Sequence, residues 1–106
     1  MLIKIEKLKE EILKKHTNKL QIELKGMIKT QLSIENPEIQ IAKSAVIIFN
    51  KKDSKQKIEL NLHQIMKIEK MNENVFNIEF DYLQNVTITV INLVQNVDNE
   101  KNSRFI

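Results

Sequence analysis

His16 and His63 are the only imidazoles in this 106-residue chain, which has no cysteine. Zinc chemistry needs three or four converging ligands, and no His-x-x-x-His or Glu-x-x-His spacing brings further donors to either histidine. No metal site is expected. A single glycine cannot build a phosphate-cradling loop, so no cofactor is expected either. His63 reads as a buried or half-buried residue at a strand end.

Paired carboxylates are the next possibility. Glu79 and Asp81 share one strand face about 7 Å apart, beside Asn77. Acid–base work would require a cleft that separates their pKa values, and nothing around them marks this face as covered. It reads as a solvated outer face. No nucleophile is paired with a base elsewhere, so no catalytic residue is assigned and the chain is expected not to be an enzyme. Phe76, Phe80 and Tyr82 form an aromatic row able to stack bases on an open sheet, but no lysine interleaves with them. Core packing is the simpler expectation.

Charge singles out one loop. The chain carries 17 basic and 14 acidic residues, a formal net charge of +3. Segment 50–57 concentrates Lys51, Lys52, Lys55 and Lys57 against Asp53 alone. Four amines on a hairpin tip can contact about four phosphates, giving salt-dependent, sequence-independent binding. The abundance of lysine itself says less, because Ile, Lys and Asn are the residues of AT-rich codons. Arginine, the better bidentate phosphate ligand, occurs once.

The elements that position these groups follow from periodicity. Residues 1–16 read as an amphipathic helix with Met1, Ile5, Leu8 and Ile12 on one stripe and charges opposite. The pairs Glu10/Lys14 and Glu11/Lys15 each add ~0.3 kcal/mol. A helix this short needs its stripe covered by the sheet, by a second copy or by a partner. Met1, Ile5, Leu8 and Ile12 are therefore the candidate interface.

Leu20 to Ile34 alternates over fifteen positions with one apolar exception on the polar parity, the signature of a half-buried strand or hairpin. A three-residue loop at Lys25, Gly26 and Met27 would set Leu24 against Ile28 and Leu20 against Leu32; a strand bent at Gly26 keeps parity equally well. Pro37 breaks the chain. Residues 39–49 turn apolar on both parities, which suits a bulged strand or one covered on both faces. Residues 57–62 alternate, then Ile65 and Ile68 follow at a spacing of three, implying a bulge or a helical turn near His63. Residues 76–82 and 86–90 give two further strands.

The expected fold is α+β: an N-terminal amphipathic helix followed by a five- to six-stranded, mainly antiparallel sheet or small barrel. One domain is expected over 1–97, with helix 1–16 and β region 19–94, then a polar tail over 98–106. No apolar run approaches the ~20 residues of a membrane span, and a signal peptide is not evident, so no membrane role and a cytoplasmic location are expected. The leading functional expectation is a non-enzymatic binding module that associates with a protein partner and with itself. Inhibitors and accessory proteins of phage or mobile-element type work in this way. One alternative is nucleic-acid binding or regulation through the lysine loop; another is sequestration of a small anionic ligand between protomers.

Overall fold

Strict alternation of apolar and polar residues builds most of the molecule. The computed structural model describes residues 1–14, 17–26, 29–81 and 84–91. Among these residues the chain begins with β1 (Leu2–Ile3) and α1 (Ile5–Lys14). Next come β2 (Lys19–Lys25), β3 (Thr30–Glu35), β4 (Pro37–Ile41), β5 (Ala45–Asn50) and β6 (Asp53–Asn61). A 3-10 turn (Leu62–Gln64) then leads to β7 (Ile65–Asn72), β8 (Val75–Phe80) and β9 (Asn85–Ile91). All recorded pairings are antiparallel. The result is a mostly antiparallel, broadly α+β molecule with one short helix.

The strands form two sheets rather than one closed barrel. The larger has the order β1-β7-β8-β9-β2-β3 and the smaller β4-β5-β6. The inner parity of the large sheet contributes Leu20, Ile22, Ile34, Ile68, Phe76, Ile78, Val86 and Ile88. The small sheet contributes Ile39, Val46, Ile48 and Leu60, and α1 adds Leu8 and Ile12; all are buried. Each such side chain stabilises the fold by roughly 1.5–3 kcal/mol relative to exposure. Among the described residues no helix is long and apolar enough to cross a membrane.

Several expectations are corrected. The helix spans ten residues, not 1–16, and is not the first element. Leu2 and Ile3 instead pair with Glu69 and Ile68 of β7, because an extended edge position satisfies their backbone and still turns Ile3 inward. Among the described residues there are nine strands where five to six were expected. Residues 39–49 are no single strand: Ala42, Lys43 and Ser44 turn the chain, setting Ile39 against Ile48.

The β2–β3 hairpin exists, but it pairs Leu24 with Thr30, Ile22 with Leu32 and Leu20 with Ile34, two residues from the expected register. A shift of two preserves the apolar face, so alternation alone does not choose between the registers. The expected shift after β6 is present. The 3-10 turn at Leu62–Gln64 is followed by an irregularity between Ile65 and Lys67. Strand β9 ends at Ile91, and 92–106, including the expected tail, lie outside the described residues.

The corner between the sheets is made by Asn36, which adopts a left-handed φ of 47° before Pro37. Asparagine tolerates this region better than most residues. Its N–H donates to the Asn18 carbonyl at 2.9 Å, and its own carbonyl accepts from Lys51 at 3.0 Å. Across the same corner the Gln56 Oε1 accepts from the Glu35 backbone at 3.0 Å and from Asn50 Nδ2 at 3.2 Å. One side chain therefore ties the large sheet's edge to the turn of the small one and satisfies the buried Asn50 amide.

Candidate protein-interaction surface

The N-terminal stripe is divided by the fold. Leu8 and Ile12 are 1% and 0% exposed, so they fasten α1 to the core. Ile5 is half-buried and Met1 is exposed. The helix is held further by Lys70, whose Nζ lies 2.9 Å from Glu11 Oε2. That bond keeps the Lys70 amine protonated above its ordinary range despite partial desolvation. The four predicted interface residues consequently do not share one surface.

A different apolar surface appears at the β1–β7 edge. Met1 continues β1 beside β7: its ammonium donates to the Lys70 carbonyl at 3.3 Å and its carbonyl accepts from the Lys70 N–H at 2.8 Å. The β7–β8 ladder slips between Ile65 and Lys67 and again between Lys70 and Asn72. The extra residues are Met66 and Met71, both turned to solvent. Met1, Leu2, Met66 and Met71 are 57–73% exposed and account for four of the five large exposed hydrophobics among the described residues; Leu13 is the fifth.

A groove of about 310 Å³ lies beside this edge, floored by Ile3, Ile5, Leu62, Ile65, Met66 and Ile68 and rimmed by Lys4, Glu6 and Lys67. Methionine side chains are flexible and polarizable enough to mould to a partner. Because β1 and Met1 cover only Ile68 to Lys70, part of the β7 edge is left beside the groove. Strand addition is one known use of such an edge.

The lysine loop is partly neutralised within the molecule. Lys51 lies 3.6 Å from Glu38 and Lys57 lies 3.7 Å from Glu59, while no ion pair is recorded for Lys52 or Lys55 among the described residues. Lys51 and Lys52 occupy the turn, and Lys55 sits where the β5–β6 register slips between Asn50/Asp53 and Phe49/Lys57. All four lysines are exposed, and two of them lie within 4 Å of a carboxylate.

The remaining candidates fall apart spatially. His63 is exposed in the 3-10 turn, its N–H donating to Asn61 Oδ1 at 3.0 Å, and His16 lies outside the described residues. Glu79 pairs with Lys67 at 3.5 Å, while Asp81 is exposed in the turn after β8. Phe76 and Phe80 are core residues; Tyr82 lies outside the described residues. Among the described residues no three His, Cys, Asp or Glu side chains converge as a metal site.

A second cleft of about 330 Å³ opens between the sheets, floored by Leu24, Ile58, Leu60, Phe80 and Val86. Its one carboxylate, Glu59, is the partner of Lys57. Sequence reading missed the edge surface because methionine and leucine are core-type residues; only the three-residue spacing from Ile65 to Ile68 hinted at the Met66 bulge. Compared with protein-family models, curated proteins and solved structures, the chain matches none.

Proposed function

We propose that the chain is a non-enzymatic binding module of the cytoplasm that acts by association with a protein partner through the β1–β7 edge. The carrying observation is the gathering of Met1, Leu2, Met66 and Met71 on one sheet edge beside an apolar groove. Isolated exposed hydrophobics are ordinary on a folded chain, but several on one edge beside a groove mark an interaction surface. A partner side chain entering between Ile5 and Ile65 would meet hydrocarbon, while Lys4, Glu6 and Lys67 supply the polar rim of a protein interface. Blocking a partner by occupying its surface requires no chemistry beyond this.

Photocrosslinking tests the reading. Benzoylphenylalanine placed at Leu2 or Met66, in cells producing the protein, is expected to give one discrete protein adduct; the same group at Thr87, on the large sheet's outer face, is not. Edge positions that crosslink no more than Thr87 would end this reading. Adducts that disappear on nuclease treatment would transfer the function to nucleic acid, with Lys51, Lys52, Lys55 and Lys57 as the first residues to replace.

A further inference from the structure

Strand β5 is apolar on both parities although, among the described residues, the core lies on only one of its faces. Val46 and Ile48 are fully buried between the sheets. The opposite parity, Ala45, Ile47 and Phe49, forms the middle of the small sheet's outer face and is half-buried. The partly buried hydrophobics that pack on the core are Ile3, Ile5, Leu24, Leu32, Ile58, Leu62 and Ile65, so Ile47 and Phe49 belong to a separate surface. A phenylalanine and an isoleucine on the solvent side of a three-stranded sheet are what one layer of a sheet-on-sheet packing presents.

The flanking charges identify the occupant. Phe49 pairs with Glu38 of β4 on one side and with Lys57 of β6 on the other; Ile47 pairs with Gln40 and Glu59. Each rung therefore has an apolar centre, and the rung through Phe49 carries an acid on one side and a base on the other. Glu38 lies 3.6 Å from Lys51 and Lys57 lies 3.7 Å from Glu59, in largely exposed pairs that a second copy would share or exchange. A twofold axis parallel to β5, lying between two such faces, places β6 of one copy over β4 of the other. Glu38 then meets Lys57 of the second copy, Lys57 meets its Glu38, and Gln40 can donate to its Glu59. Phe49 packs on Phe49 at the centre. The face is complementary to itself, which is the requirement of an isologous dimer.

We infer that this chain pairs with a second copy of itself through the outer face of the β4–β5–β6 sheet, with Phe49 and Ile47 at the centre and reciprocal Glu38–Lys57 contacts at the rim. This self-association adds to the binding-module reading but uses a separate surface, so either can fail without the other. Three strands at ~4.8 Å spacing and five residues at ~3.3 Å give a face of about 14 by 17 Å. That is well below the roughly 800 Å² per partner of a stable interface, so the dimer is weak and populated only at high concentration.

Charge exchange tests the pairing. Light scattering during gel filtration, over a dilution series from micromolar to millimolar protein, should show the wild-type mass rising from 12.5 kDa towards twice that value. K57E sets glutamate against Glu38 at both rims, and E38K sets lysine against Lys57. Each should stay monomeric at concentrations where the wild type dimerises, with an unchanged far-UV spectrum.

Mixing the two variants restores both opposite-charge contacts and should restore the dimer; the double variant should do the same alone. Leu2→Glu should leave the dimer intact. A wild type that remains monomeric throughout overturns the inference. So does a dimer that K57E and E38K leave unchanged, or a failure of mixing to restore it.

Discussion

The outer faces of the two sheets differ more than their inner ones. On the large sheet the outward positions are Gln21 and Glu23 of β2, Asn77 and Glu79 of β8, and Thr87 and Thr89 of β9. They form a polar lattice in which Thr87 Oγ1 donates to Asn77 Oδ1 at 3.3 Å and Gln31 Nε2 donates to Glu23 at 3.0 Å. On the small sheet the central strand presents Ala45, Ile47 and Phe49. Both sheets have slips in their ladders, yet the middle strands of the large one present polar residues outward except Val75 and Ile91 at strand ends, whereas β5 presents none. Polar residues finish a face in water, whereas apolar residues on both parities leave a face that gains free energy when covered.

The contrast can be broken first at β5. Ile48→Ala removes a fully buried side chain and should cost about 2–4 kcal/mol in urea unfolding, whereas Ile47→Ala in dilute solution should cost less than about 1 kcal/mol. Equal losses would mean that both parities serve the core of the single chain. A finer probe is Phe49→Thr, which makes the small sheet's outer face resemble the large one. It should change dilute unfolding by less than about 1 kcal/mol yet abolish the concentration dependence of the mass. Retention of that dependence would move the self-contact elsewhere.

The smallest effect concerns the large sheet's polar lattice. The Gln31 hydrogen bond, followed by the Lys25 amine 3.1 Å away, holds the Glu23 carboxyl below its usual 4.5. A carboxylate with a depressed folded pKa contributes stability that is complete above its unfolded value and lost as pH falls through the lower folded value. Glu23→Gln should therefore flatten the stability curve below pH 4.5 and leave neutral pH nearly unchanged. An unaltered acid limb would show that the lattice leaves stability unaffected.

Alternation made some elements readable from the residues alone. Val75–Phe80 and Asn85–Ile91 bury every second residue as their spacing predicts, and β2 pairs with β3 as a hairpin. The turn at Ala42, Lys43 and Ser44 carries no glycine or proline to announce it, so two short strands read as one. The hairpin register escaped because shifts of two leave the pattern unchanged. Gly26 offered no correction, since its φ is not positive and its distinction is a close approach to Gln84. Leu2 and Ile3 fit a helical stripe as well as an edge strand, and only β7, far along the chain, decides between them. The exposure of Met66 and Met71 depends on ladder slips that no local pattern encodes.

Met1 and Lys70 stand 69 residues apart in sequence and lie side by side in the fold. During synthesis on a ribosome, residues 1–14 emerge well before the strand that receives β1 and the lysine that anchors α1. Strand β4, which α1 contacts, is made well before them, so α1 has part of its packing surface early and gains its Lys70 anchor only late. Completing the docking of this segment is thus a late, long-range step, because β1 cannot pair before β7 exists. The β1 strand is therefore the last piece of the large sheet's edge to be zipped, and its pairing reports that β7 has folded.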